Sequence, residues 1–441
     1  MNVPSRHRPP LPAGPYLIVG LARSGQAAAR MLAARGERVI ACDAASPEGA
    51  AELAELGVEV HLETEGTEPV EDAGAVVKSP GVPREAPPVA AAIGRGMEVI
   101  GELELAWRLL PNRFVGVTGT NGKTTVVELL GHVWRTAGRP VAVAGNVGTP
   151  LASLVGEVDG DATVICECSS FQLEDASEFA PECAVLLNVA PDHLDRHRDL
   201  DDYVEAKLRI FERQVPGDWA IFDSSEPALA GRRVGGRGRL VDLAEAPIDD
   251  LGEALAGSAL LGPHNARNAR AAAAVALAMG IDRQSLAQGL RSFPGVPHRL
   301  ERVDEIDGVT YVNDSKATNV AAAGAALRSF DGGVRAILGG SLKGDDFTEL
   351  AQPVAERCVA CYLIGPAADA LERDLGPAWD AGVEHRRCDD LADAVGGAAA
   401  DAAAGEVVLL APACASFDAY RDFEQRGERF RELVSRLRAR A

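Results

Sequence analysis

The sequence predicts an α/β protein of three successive domains, each built on a mostly parallel sheet. Three observations carry that expectation. Short apolar runs alternate with helical stretches along the whole chain. Nearly every unusual polar cluster falls just behind one of those runs, where parallel sheets place their ligand-binding loops. The chain is also long enough for several buried cores, with 441 residues, 47% hydrophobic and 25% charged.

The first domain is expected over residues 1–101. "PYLIVGLARSGQAAARMLAARGERVIACD" reads as a strand, a glycine turn (Gly20 to Gly25), an Ala-rich helix and a second strand ending at Asp43. This is a Rossmann-like opening, weakened by Ala22 where the dinucleotide fingerprint carries its middle glycine. A nicotinamide site and a plain tight turn both fit it. "AGAVVKSPGVP" adds a strand and a Ser79-Pro80-Gly81 turn.

The second domain is expected over residues 102–295 and the third over 296–441, with a Pro- and Gly-rich boundary at "FPGVPHR". "RFVGVTGTNGKTTVVELLGHVWRTAG" is again strand, glycine loop, helix, and marks the second as a P-loop ATPase-type parallel sheet. Strands "ATVICE" and "CAVLLN" follow, and the helix "HNARNARAAAAVALAMG" closes it. "VTYVNDS", "RAILGG", "VACYLIG" and "EVVLLAPA" are the strands of a second Rossmann-like sheet in the third.

Bulk properties exclude some functions. The net charge is −21 and no basic stripe is visible, which argues against a nucleic-acid binder. Much of the acid reads as solubilising surface. No apolar run reaches the roughly 18 residues of a membrane span. Met1 to Pro15 is Pro- and Arg-rich without an apolar segment, so a loose tail is expected there and not a signal peptide. Eight cysteines lack a disulfide-framework spacing, which points to the reducing cytoplasm. Cys358 and Cys361 read as core packing, since one pair cannot complete a zinc site. Cys414 is not needed by the chemistry.

The polar clusters suggest the chemistry. In Gly119-Thr120-Asn121-Gly122-Lys123-Thr124-Thr125, free backbone NH groups at a helix N-terminus would cradle phosphate. Lys123 would reach the β- and γ-phosphates, and Thr124 would reach Mg²⁺. Val117 stands where the strict motif has glycine, so the match is partial. Glu167, at a strand end, suits a Mg²⁺ ligand, while Ser169 and Ser170 equally suit a helix cap. His193 lies just beyond another strand. Lys207, in an apparent helix, reads from its surroundings as a surface lysine paired with Glu, since an ammonium cannot ligate Mg²⁺. Three further loops, "NDSKATN", "GGSLKGDDF" and "PACASFDAYRDFEQRG", each follow a strand. Ser416 and Phe417 are expected at a helix start, with NH groups free to take a carboxylate.

Together these motifs resemble those of the Mur ligases, which elongate the cytoplasmic peptidoglycan precursor. The likeness runs from about Pro15 nearly to the C-terminus. "GTNGKTT" is common to the superfamily, folylpolyglutamate synthases included. "SSFQLE", "AKLRI", "NDSKATN" and "PACASFDAYRDFEQRG" are similar to the glutamate-adding members. The resemblance implies a cytoplasmic enzyme, expected to be a monomer, that uses ATP and two Mg²⁺ to join glutamate to UDP-N-acetylmuramoyl-L-alanine through an acyl phosphate. It implies UDP rather than NAD on the first domain, at Leu21, Asp43 and Gly81. Asn146, Gln172 and His193 match positions that hold the muramoyl-alanine portion. Gly119 to Thr125, Asn268, Arg299, Asp314 and Lys316 match ATP-side positions, with His264 and Asn265 on the adenine side.

One Mg²⁺ is implied at Thr124 and Glu167. The second is implied at His193 and at Lys207 in carbamylated form, where CO₂ converts the amine into an oxygen-donating anion. Thr318, Lys343, Ser416 and Phe417 match the positions that grip the incoming glutamate, and either hand of glutamate fits them. Closure of the third domain about a hinge near Phe293 to Pro297 is expected, to keep water from the acyl phosphate. An NAD-dependent oxidoreductase would leave the P-loop and later loops unexplained. A non-catalytic nucleotide-binding regulator would not need Lys123, Glu167, His193 and Lys207. The extra N-terminal domain disfavours a folylpolyglutamate synthase.

Overall fold

The computed structural model describes residues 8–193, 196–232, 234–245, 260, 262–342 and 346–439. It falls into two compact units, Met1–Gly252 with Asn268–Leu290, and Glu253–Arg267 with Arg291–Ala441.

The first unit carries two sheets. β1 (Tyr16–Val19), β2 (Val39–Cys42), β3 (Glu59–His61), β4 (Ala75–Lys78) and β5 (Glu98–Gly101) run in the order β3-β2-β1-β4-β5. All pairings are parallel. β1, β2 and β4 are buried along their whole length, as strands covered on both faces must be. The order reverses between β1 and β4, so the turns after these strands lie side by side at the switch point.

The second sheet contains β6 (Arg113–Thr118), β7 (Val141–Gly145), β8 (Thr163–Glu167), β9 (Cys183–Leu186), β10 (Trp219–Phe222) and β11 (Arg239–Asp242), in the order β11-β10-β9-β6-β8-β7. It too is wholly parallel. β6 lies between β9 and β8, so the loops after these three strands converge. Trp107, Phe114 and Phe179 pack edge to face beneath the sheet.

The second unit carries β12 (Glu301–Ile306), β13 (Val309–Asn313), β14 (Val334–Gly339), β15 (Cys358–Ile364), β16 (Glu384–Arg387) and β17 (Val407–Leu410), in the order β12-β13-β17-β14-β15-β16. β12 was not foreseen. It pairs antiparallel with β13 across a two-residue turn, Asp307-Gly308, with φ of 51° and 78°. Asp-Gly at two left-handed positions is the strongest short hairpin signal, and the polar alternation of "ERVDEI" suits an edge strand. The sheet is therefore mixed at this edge, while its other pairings are parallel, as expected of a mostly parallel sheet.

Two expectations fail for packing reasons. From residue 8 the N-terminal segment is not loose. Arg8 lies 4.3 Å over the Trp107 ring, donates to the Asn112 carbonyl at 2.8 Å and pairs with Glu182 at 3.4 Å. Arg108 holds the Pro10 carbonyl and Tyr16 the Pro12 carbonyl. Ser416 and Phe417 do not start a helix. The helix begins at Phe423, because Asp422 accepts from the Gln425 amide and supplies the cap. Residues 416–420 form a turn closed on the Ser416 carbonyl. Cys358 and Cys361 do lie in the core. Among the described residues no helix is long and apolar enough to cross a membrane.

Candidate active site

The centre of the site is the loop after β6. Gly119 and Gly122 take φ of 151° and 86°, which L side chains rarely adopt. A Cβ on Gly122 would lie 2.2 Å from Asn268 Oδ1, so the loop and this asparagine fit only around a glycine. Thr120 is held by the Ala190 amide and carbonyl and contacts the Tyr203 hydroxyl at 3.2 Å. Asn121 and Asn188 exchange two hydrogen bonds. These bonds stiffen the loop before the helix Lys123–Thr136 begins. Lys123 Nζ folds back onto the Gly119 and Thr120 carbonyls, 2.8 Å from each.

Thr124 and Glu167 are brought together. The Thr124 hydroxyl donates to Glu167 Oε2 at 2.8 Å, and the Asn146 amide donates to Oε1 at 3.1 Å. Glu167 is 3% exposed at the end of β8, next to β6. Ser169 caps the short helix Ser170–Glu174, and Gln172 completes a capping box, accepting from the Ser169 amide and hydroxyl. Both alternatives for this segment thus occur in one turn of chain, a strand-end carboxylate and a helix cap.

Lys207 is not a surface lysine. It is 1% exposed, its Nζ lies 2.9 Å from the Gly119 carbonyl, and it sits 4.3 Å over the Tyr203 ring. Burial, then the charge of Lys123, pushes its pKa down to about 6. The surface reading fails because Lys207 lies on the same helix face as Tyr203, Ile210 and Phe211, all buried. His193 stands across Tyr203, with ring centroids 6.4 Å apart, in a left-handed conformation (φ 54°). Its ring is half-exposed and faces Asp192 at 3.6 Å.

In the first sheet, Asp43 accepts from the Leu21 amide at 2.6 Å and the Ala45 amide at 2.8 Å, tying the first glycine turn to the end of β2. Ser79 Oγ donates to the Gly20 carbonyl at 2.7 Å, and the exposed Gly81 carbonyl accepts from Arg196 at 3.1 Å.

In the second unit three loops meet at the ends of β13, β17 and β14. The Ala413 amide bonds the Ala317 carbonyl, and the Ser341 amide bonds the Ala415 carbonyl. Asp314 accepts from the Leu300 amide at 3.2 Å, and burial raises its pKa to about 7 against the pull of Arg299. Lys316 Nζ lies 4.9 Å over the Phe423 ring. Thr318 is half-buried, Ser416 is buried and Phe417 is 68% exposed. Lys343 lies outside the described residues. His264, half-buried, and the buried Asn265 and Asn268 lie on the helix Pro263–Ala278.

Several groups of these clusters escaped the sequence reading. Tyr203 and His197 stand beside Lys207 and Phe171; His197 is buried and bonds Ser170 Oγ at 3.0 Å. Arg426, 1% exposed, gathers the second unit's loops by donating to Ser315 Oγ and to the Ser315, Cys414 and Ala415 carbonyls. Their signal is a polar side chain inside an apolar helical stripe, as in Arg426, Phe430, Leu433 and Val434.

Among the described residues no three His, Cys, Asp or Glu side chains gather as a metal-binding group. The donor set is instead a buried carboxylate and a hydroxyl at the mouth of a phosphate-type loop. That fits Mg²⁺ completed by phosphate oxygens.

Comparison with known proteins agrees with this arrangement. Family models match for the MurD-like N-terminal domain of Mur ligases over residues 15–101, the Mur ligase middle domain over 117–237, and the Mur ligase glutamate ligase domain over 298–414. The UDP-N-acetylmuramoylalanine–D-glutamate ligase of Pelotomaculum thermopropionicum is 41% identical over 96% of this chain and 97% of its own. That of Salinibacter ruber is 41% identical over 95% and 97%. The solved UDP-N-acetylmuramate–alanine ligase of Thermotoga maritima shares the fold, with a TM-score of 0.56 at 17% identity over 97% of this chain and 100% of that one. The MurF ligase of Thermotoga maritima, solved with ADP, has a TM-score of 0.59 at 18% identity over 92% and 96%. With three successive Mur ligase domain models matched along it and relatives 41% identical over nearly its whole length, this chain belongs to the Mur ligase family.

Proposed function

We propose that this protein is the ATP-dependent ligase that joins D-glutamate to the alanyl carboxylate of UDP-N-acetylmuramoyl-L-alanine in peptidoglycan precursor synthesis. The observation that carries the chemistry is the buried Thr124–Glu167 pair, 2.8 Å apart beside the glycine loop. The D-glutamate relatives, aligned along nearly their whole length, supply the substrates.

A carboxylate is a poor acyl donor because its oxygen is a poor leaving group. Transfer of the ATP γ-phosphoryl group to the alanyl carboxylate gives an acyl phosphate. The glutamate amine attacks that carbonyl, and phosphate departs from the tetrahedral intermediate. Lys123 swings from the Gly119 carbonyl to the β- and γ-phosphates, while the loop NH groups hold the remaining oxygens. Thr124 and Glu167 would hold one Mg²⁺, and His193 with Lys207 a second; bound there, the ions would supply electrostatic stabilisation of the transferring phosphoryl group. Lys207 serves once its neutral amine has added CO₂, releasing a proton and leaving a carbamate. His193 orients the intermediate. Leu21, Asp43 and Gly81 line the UDP side, and Asn146 and Gln172 the muramoyl-alanine side.

Asn268, Arg299, Asp314 and Lys316, with His264 and Asn265, serve ATP. Thr318, Lys343, Ser416 and Phe417 hold glutamate. The working divisions are residues 1–101, 102–295 and 296–441. The third closes during turnover about the connection near Phe293 to Pro297, and a scattering envelope that does not compact with ligands would refute this closure. The enzyme acts as a cytoplasmic monomer.

The test is ATP-dependent phosphate release with UDP-N-acetylmuramoyl-L-alanine, Mg²⁺ and bicarbonate, comparing D-glutamate, L-glutamate and no amino acid. Release that requires D-glutamate is expected. Release with L-glutamate alone would change the product assigned, and no release from folded protein would overturn the reading.

A further inference from the structure

Lys78 and Asp175 form an ion pair of 2.7 Å, with 0% and 2% of their side chains exposed. Neither belongs to the machinery described above. A fully buried pair is weak evidence for stability, because apolar side chains of similar volume usually serve as well or better. Its placement is what distinguishes it.

Lys78 is the last residue of β4, directly before the Ser79-Pro80-Gly81 turn. Its aligned hydrogen bonds go to that turn, to the Val82 carbonyl at 2.7 Å and the Ser79 carbonyl at 3.4 Å. Asp175 Oδ2 meets the same ammonium, so the carboxylate balances its charge while the carbonyls of the turn accept from it. The turn in turn braces the first glycine loop. Ser79 Oγ bonds the Gly20 carbonyl, and a Cβ on Gly20 would meet Val82 Cγ2 at 2.6 Å.

Asp175 closes the C-terminal end of the helix Ser170–Glu174, whose cap follows Glu167 by two residues. The close approach of Gly101 makes room for it, since a Cβ there would lie 3.2 Å from Asp175 Cβ. Arg196, from the loop that carries His193, makes a second tie to the same turn at the Gly81 carbonyl.

We propose that Lys78 and Asp175 are a positioning pair: they lock the turn on the UDP side to the helix behind Glu167, and so fix where the far end of the bound substrate meets the phosphoryl-transfer centre. This rests on the ligase reading above. The two ends of one substrate are held by two different sheets, and a displacement of about 1 Å at the reacting carboxylate is enough to cost about 100-fold in rate.

The test is the double variant Lys78→Met/Asp175→Leu, with Asp175→Asn beside it. The double variant is expected to fold with a lowered thermal midpoint: both charges leave together, but the Val82 and Ser79 carbonyls lose their donor. Its kcat/KM for UDP-N-acetylmuramoyl-L-alanine is expected to fall at least about tenfold, while the KM values for ATP and D-glutamate stay within about twofold. Asp175→Asn is expected to move the same constants the same way by less. Parental constants for all three substrates in the folded double variant would overturn the proposal. So would an equal loss toward all three, or failure of both variants to fold, since either marks a role in the fold alone. Parent protein inert in the same assay would sink the ligase reading itself, a result separable from any variant's.

Discussion

Lys123 and Lys207 donate to the same oxygen: their Nζ atoms lie 2.8 and 2.9 Å from the Gly119 carbonyl. Burial disfavours the charged form of the deeper amine, and repulsion by the neighbouring ammonium adds to that. Lys207, with a pKa near 6, is the deeper one. A neutral, buried amine beside a lysine is set up to add CO₂ and keep the resulting anion. Enzyme prepared with ¹³C-bicarbonate is expected to show a carbamate carbon resonance, absent in Lys207→Arg. That variant is expected to lose about 100-fold or more in kcat. A resonance that persists in Lys207→Arg, or a variant with parental turnover, would refute the assignment.

Gly122→Ala tests the glycine loop. The new methyl would meet Asn268 Oδ1 at 2.2 Å and take a left-handed conformation. Thermal stability is expected to drop by about 1 kcal/mol, and the KM for ATP to rise at least about tenfold. Binding of the UDP substrate by calorimetry should not change. An unaltered ATP KM would show that the loop does not hold nucleotide.

Glu102 predicts a pH dependence of stability. It is fully buried and accepts from the Ala152 amide at 2.6 Å, while its Oε2 has no partner. Burial raises its pKa from 4.5 to about 7. The folded carboxyl thus holds its proton longer than the unfolded one. Its stability contribution is fully present below pH 4.5, declines as pH rises, and is lost above about 7. Glu102→Gln keeps the acceptor and removes the titration. Relative to the parent it is expected to gain on the order of 1–3 kcal/mol between pH 5 and 8. A parent-minus-variant difference that is flat with pH would exclude this.

Arg8 predicts a strap. Its guanidinium joins the Trp107 ring, the Asn112 carbonyl and Glu182. Arg8→Ala is expected to destabilise the first unit by about 1–3 kcal/mol while leaving kcat unchanged. Urea unfolding followed by tryptophan fluorescence measures it, and an unmoved midpoint would mean the segment is not anchored.

The sequence by itself determined the fold class and the longer apolar strands, and it marked the loops that follow them, because apolar runs and glycine punctuation are local signals. Gly119 to Thr125, Glu167 and the three later loops stand where strand ends were expected. The Asp307-Gly308 hairpin carries an equally local signal, in two left-handed residues between β12 and β13. What only the tertiary structure decided is the fate of charged side chains. Lys207 looks like a surface lysine until Tyr203 and Gly119 close over it. Arg426 looks like any helix arginine until the Ser315, Cys414 and Ala415 carbonyls surround it. Lys78 and Asp175 stand far apart along the chain, as do Arg8 and Glu182. A charge can be buried only where distant segments bring it a counter-charge or hydrogen-bond partners. No local pattern reports that meeting; it is settled when the sheets and their loops pack.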